Sequence, residues 1–157
     1  MIKLRTITDA EYAEYLDWAI TEHAKEKTRV GDWKADTALE LSRHAYEAML
    51  PQGPATVNHS ILAITELNSS HFLGVIWYQL KITSDAPSAY IFDVYVTEES
   101  RSKGIGSQAM IELERSLSAQ KIREVRLNVF CHNASALHMY TKLGYEPTHL
   151  QMIKKFI

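Results

Sequence analysis

A chain of 157 residues with 46% apolar and 23% charged side chains has the size and composition of one soluble domain, here residues 1–157, with a sizeable core. A formal net charge of -2 argues against non-specific attraction to nucleic acid and gives no membrane-surface signal. Cys131 is the sole cysteine, which rules out an internal disulfide and any multi-cysteine zinc site. The N-terminal MIKLRTITDAEY has no apolar signal core, and no apolar run approaches membrane-spanning length, so the chain reads as cytoplasmic.

In chain order, IKLRTIT reads as a first strand, and Thr8 with Glu11 three residues later forms a capping-box signature. Tyr12, Tyr15, Leu16, Ala19 and Ile20 follow at helical spacing, with Gly31 as the stop. A second helix runs from about Asp36 to Met49, where LPQGP breaks it. HSILAITEL and HFLGVIWYQL, separated by NSS, predict a hairpin. SDAPS punctuates before a third β-rich run, Ala89–Val96.

Ile105, Ala109, Leu113 and Leu117 then mark an amphipathic helix, and EVRLNVF another strand. Asn133 can cap a helix carrying Ala136, Leu137, Tyr140 and Leu143, stopped by Gly144 and Pro147. THLQMIKKF alternates with period two and predicts a closing strand. The order is β-α-α-β-β-β-α-β-α-β, an α/β chain with a central mixed sheet flanked by helices. The strands on either side of the Ile105 helix should be parallel neighbours, because a βαβ crossover requires it.

The segment RSKGIGSQ lies between the third β-rich run and that helix. It lacks the Gly-Lys pair of a Walker loop. It also sits too far beyond the strand for a dinucleotide fingerprint, and the next strand ends without a carboxylate, which disfavours a nucleotide-dependent oxidoreductase. Gly104 and Gly106 would let the backbone of Ile105 and Ser107 approach an anion, with Arg101 and Lys103 adding positive charge. On the loop alone, this cradle and an ordinary glycine turn beside two solvated bases stand equal.

IFDVYVTEESRSKGIGSQAMIELE followed by VRLNVFCHNASALHMYTKLGY resembles the GNAT superfamily of acetyl-CoA-dependent N-acetyltransferases. Arg101, Gly104 and Gly106 stand at the positions of its first motif. Asn133, Ala134, Ala136, Tyr140, Gly144 and Tyr145 match its second, and together the match covers residues 89–146. The segment YAEYLDWAITEHAKEKTRVGDW is similar to small uncharacterised bacterial members. Glu98 replaces a frequent proline, and Ser102 a frequent glycine.

The resemblance implies acetyl-CoA as cosubstrate, no metal, and direct transfer of the acetyl group to a primary amine in a ternary complex. The alternative is a non-catalytic acyl-CoA-binding or regulatory module. The loop Arg101, Ser102, Lys103, Gly104, Ile105, Gly106 and Ser107 would hold the pyrophosphate. The main chain at Val94 and Val96 would meet the pantetheine arm, and Asn133 is a further cofactor-binding residue.

Tyr140 would stand near the thioester sulfur, to donate a proton or hydrogen-bond the leaving thiolate; its other reading is a packed aromatic. Asp93, a carboxylate inside an apolar strand, is the base candidate, or else a structural acceptor for loop amides. Cys131, His132 and His138 lack metal-ligand spacing, and Cys131 is expected to be a small buried thiol. Trp33, Trp77 and Tyr78 could line an acceptor pocket, with core packing the simpler role for the last two. The acceptor is not legible, and the resemblance also allows a homodimer.

Overall fold

The computed structural model describes residues 1–83 and 85–156. Ser84, in the punctuating SDAPS, lies outside them. The elements are β1 (Ile2–Thr6), α1 (Asp9–Arg29), α2 (Ala38–Met49), β2 (His59–Glu66), β3 (Phe72–Lys81), β4 (Ser88–Val96), α3 (Ile105–Ala119), β5 (Glu124–Leu127) and α4 (Ala134–Lys142). The strands form one sheet in the order β1-β2-β3-β4-β5. Neighbours are antiparallel except β4 and β5, which are parallel as the crossover through α3 requires. No described helix is long and apolar enough to cross a membrane.

Helix α1 starts where its sequence says it should. The Thr8 side chain accepts from the Glu11 amide and Glu11 reaches back to the Thr8 amide, closing a capping box. Arg5 of β1 grips the same Glu11 with two bonds of 2.6 and 2.9 Å, which holds that carboxyl down at about 2. The helix thereby joins the sheet edge.

Two cores result from the alternation of side chains along the strands. On one face Tyr15, Ala19 and Ile20 of α1 and Tyr46 of α2 pack over Ile61, Ala63, Val75 and Trp77. On the other, Ala109, Met110, Leu113 and Leu117 of α3 and Tyr140 of α4 cover Ile64, Ile76, Tyr78 and Ile91. Fully burying a large apolar side chain contributes about 1.5–3 kcal/mol, so these two layers account for most of the driving force. Ser42, fully buried, donates to the Ile20 carbonyl at 2.7 Å and lets α2 lie close against α1.

Two features of β4 shape the site. At Gly74 an added Cβ would lie 2.0 Å from the Tyr95 carbonyl oxygen, so only glycine admits this close approach of β3 and β4. The β3–β4 register then shifts. Trp77 pairs with Asp93 but Tyr78 pairs with Ile91, leaving Phe92 as an extra, bulged residue.

Three expectations are corrected. Residues 148–156 form no strand, although THLQMIKKF alternates. Leu150, Met152, Ile153 and Phe156 are exposed, and period two makes a strand only where an edge pairs with it. The strand expected over EVRLNVF stops at Leu127, because its neighbour β4 is paired only as far as Ile91. Cys131 therefore lies in a turn and is exposed rather than buried.

Candidate active site

The bulge and the short β5 together open the sheet. β4 pairs with β5 only through Ser88–Ile91, so the main chain of residues 92–96 has no strand on that side. β4 remains held on its other side by β3 as far as Val96. The result is a gap in the sheet, with the backbone N–H and C=O groups of β4 along one side. Such an edge can pair with an extended, amide-bearing molecule as it would with a strand.

The glycine loop lies at the end of that edge. Thr97 donates to the Leu73 carbonyl at 2.9 Å, and its hydroxyl bonds Ser100 at 2.9 Å, so the turn over residues 98–100 is fixed to the sheet. Ser102 (φ 60) and Gly104 (φ 75) are both left-handed. Ser102 thus adopts a conformation that glycine takes more readily.

Gly104 is the N-cap of α3, without a side-chain cap and with no acidic residue in the first turn. The Ile105, Gly106 and Ser107 amides have no intrahelical acceptor by helix geometry, and the dipole favours an anion beside them. A Cβ on Gly106 would come within 3.0 Å of Met139 Sδ and 3.8 Å of Val96 Cγ2. Bare backbone is therefore presented at the point where the loop, β4 and α4 meet. The flanking cations are partly tied: Arg101 Nε donates to the Val96 carbonyl at 3.0 Å, and Lys103 Nζ to that of Glu99 at 2.6 Å. The Val96 carbonyl is thus already engaged, whereas the Val94 side chain packs into the core under α3 and α4.

Asp93 and Tyr140 face the gap from opposite layers. Because Phe92 is bulged, Asp93 points to the α1–α2 side, where Tyr15 donates to its Oδ2 at 2.8 Å. Asp93 is half-buried, and burial raises its carboxyl to about 6 against the opposing effects of the Tyr15 bond and the Val94 amide. Tyr140, 9% exposed, comes from α4, and burial, then the Asp93 charge, pushes its phenol up to about 12.

Thr65 Oγ1 is the only sealed side-chain nitrogen or oxygen without a partner among the described residues, so the Tyr140 hydroxyl, which makes no hydrogen bond there, is not fully sealed. Asn133 caps α4 through Oδ1, which accepts from Ala136 at 3.2 Å and leaves its amide NH₂ as the group able to meet a ligand.

The α1–α2 layer roofs the gap with groups the sequence did not mark. Trp18 packs against Tyr95 in a tilted contact with centroids 4.1 Å apart. Glu26 bonds His132 just past β5, tying α1 to the far wall. Tyr15, Trp18 and Glu26 share one helix face, but at that spacing the two aromatics read as core, and nothing local named their partners. Trp77 is core, its Nε1 donating to His59 Nδ1 at 3.0 Å, and Tyr78 is buried on the opposite face. Trp33 sits in the loop after α1, edge-on to His23 and with Lys27 over its ring.

This architecture recurs in known proteins. Residues 28–145 match the family described as acetyltransferase (GNAT) family. The Bacillus subtilis protein named uncharacterized N-acetyltransferase YycN is 30% identical over 154 residues, covering 98% of both chains. A second B. subtilis protein, named uncharacterized N-acetyltransferase YdgE, is 28% identical over 97% of this chain and 96% of its own. The crystal structure of B. subtilis YycN superposes with a TM-score of 0.94, covering 100% of this chain and 99% of that one at 28% identity. A Pyrococcus furiosus structure described as a putative acetyl transferase shares the fold at a TM-score of 0.68 and 22% identity, over 99% of this chain and 100% of that one.

Proposed function

The chain belongs to the acetyltransferase (GNAT) family, and on that premise we propose that it moves an acetyl group from acetyl-CoA to a primary amine by direct transfer in a ternary complex. The observation that carries this reading is the gap beyond Ile91, where a free backbone edge, an uncapped glycine-led helix start, Asp93 and Tyr140 converge. The chain's own groups fit the cosubstrate. The amides of Ile105, Gly106 and Ser107, with Arg101, Ser102 and Lys103 around Gly104, suit a pyrophosphate. The β4 edge about Val94, with the Asn133 amide, suits the amide-rich pantetheine arm. When bound, acetyl-CoA supplies the acetyl group as an activated thioester.

Asp93 accepts the amine's proton. A lysine-like amine, with a pKa of about 10.4, costs roughly 4–5 kcal/mol to hold neutral at pH 7. Asp93, near 6, is mostly ionised at that pH, and it takes the proton directly or through water as the nitrogen grows acidic on forming its new bond. Tyr140 faces the leaving sulfur. Full transfer from a phenol at about 12 to a thiolate of roughly 8.5 would be uphill by about 5 kcal/mol, so Tyr140 hydrogen-bonds the thiolate rather than protonating it.

The test is free-thiol release by purified protein with acetyl-CoA and a panel of alkylamines, polyamines, amino sugars and lysine peptides, after acetyl-CoA binding is shown. Acetylated product identified by mass spectrometry is expected. Tight acetyl-CoA binding with no transfer to any panel member would favour a binding module and sink this proposal.

A further inference from the structure

The reacting groups proposed above leave one buried polar contact unused. Tyr15, 2% exposed, spends no hydrogen-bonding capacity on the core around it and instead donates to Asp93 across 78 residues of sequence. Its ring is held by tilted contacts with Trp18 (6.3 Å between centroids) and Tyr95 (6.1 Å), so the hydroxyl cannot swing away. We propose that Tyr15 is a positioning residue, whose phenol fixes the orientation of the Asp93 carboxylate and sets the pH above which it can accept the acceptor amine's proton. This rests on the reading of Asp93 as the base.

The surroundings leave few other groups for that task. Facing the same region are Tyr12, one turn before Tyr15 on α1, Tyr46 from α2, Tyr140 from α4, and Tyr95 two residues along β4. His59 of β2 lies behind the Trp77 indole. Glu14, Glu98, Glu99 and Arg101 act on Tyr95 at the mouth of the gap. Among the described residues no lysine or arginine contributes to the protonation of Asp93. Only the Tyr15 bond and, after it, the Val94 amide oppose the effect of burial.

Tyr15 is also suited to be a constant donor. Burial first, and the Asp93 charge second, raise its phenol well above the ordinary tyrosine value, so it keeps its proton throughout the range in which Asp93 titrates. The contact depends on the bulge: if Phe92 were paired regularly opposite Trp77, strict alternation from Ile91 would turn Asp93 away from α1.

The experiment follows the Asp93 carboxyl carbon by NMR in the ligand-free protein, assigned with Asp93→Asn, alongside the pH dependence of kcat/KM for the panel amine that turns over fastest. Tyr15→Phe should move the Asp93 inflection up from about 6 by about one unit. The acid limb of kcat/KM should move with it, lowering activity at pH 5 about tenfold while the plateau at high pH is kept. Tyr46→Phe, which removes a phenol without a bond to Asp93, should leave the inflection in place.

An unmoved inflection in Tyr15→Phe, or an equal shift in Tyr46→Phe, overturns the proposal. If Asp93→Asn keeps the acid limb, the base reading fails instead. Independently of any Tyr15 variant, the Tyr15 phenol proton of the wild-type protein should resist exchange and track the Asp93 titration. A phenol blind to that titration also overturns the proposal.

Discussion

Replacing Asp93 by asparagine should stabilise the protein, and only above the pH at which the carboxyl ionises. Burial moves this group from 3.8 when free to about 6 in the fold. A folded-state value above the unfolded one means that ionisation opposes folding. The penalty is absent below about pH 4, grows as pH rises to about 6, and is constant beyond. A difference of about 2 units corresponds to roughly 3 kcal/mol, and the partial solvent access of Asp93 reduces this to about 1–2 kcal/mol.

Asparagine keeps an acceptor oxygen for Tyr15, so the 2.8 Å bond survives while the charge is lost. Glu11, held down at about 2 by Arg5, gives the opposite dependence: its stabilisation is lost as pH falls toward 2. It is common to both proteins and cancels in the difference. Urea unfolding at pH 8 and pH 4 reads the effect. At an m-value of about 2 kcal/mol/M, the midpoint should rise by about 0.5–1 M at pH 8 and hardly change at pH 4. Equal shifts at both pH values, or a less stable variant at pH 8, would refute the link between burial, charge and Asp93.

Thr65→Val removes a fully buried hydroxyl that has no partner, and should raise stability by about 1 kcal/mol, or Tm by about 2–4 °C; a lower Tm would show that the hydroxyl is satisfied. Gly106→Trp fills the point where even a Cβ would lie 3.0 Å from Met139 Sδ, and should weaken acetyl-CoA binding more than tenfold by calorimetry. Unchanged affinity in a folded variant would remove the loop from the cosubstrate site. Tyr140→Phe should lower kcat about 100-fold with little change in Tm, because its hydroxyl makes no hydrogen bond among the described residues that the variant would lose; an unchanged kcat across the pH range would exclude Tyr140 from the chemistry.

Much of the fold is local in origin and was therefore readable in advance. Thr8 and Glu11 begin α1 through contacts three residues apart, and Asn133 caps α4 in the same way. Ile105, Ala109, Leu113 and Leu117 share a face because of helical period, and the structure buries the last three together. The starts of α3 at Gly104 and of α4 at Asn133 could be recognised because a left-handed turn and a capped helix demand particular residues at short spacing. Asp93 was conspicuous as a charge in an apolar run.

Pairing is another matter, since it depends on what lies beside a segment. The alternation of residues 148–156 could not reveal that no strand adjoins them, nor could EVRLNVF disclose where β5 leaves β4. The exposure of Cys131 follows from that departure.

Composition, period and the two motifs, by themselves, determined the class of fold and the order of most elements. Tertiary structure alone decided that Phe92 bulges, that Asp93 consequently meets Tyr15, and that Tyr140 reaches the same gap from the other layer. The reason is physical. Capping and helical faces are set by interactions within a few residues, whereas the protonation of Asp93 is set by burial and by a phenol 78 residues away, which only the packed sheet brings to it.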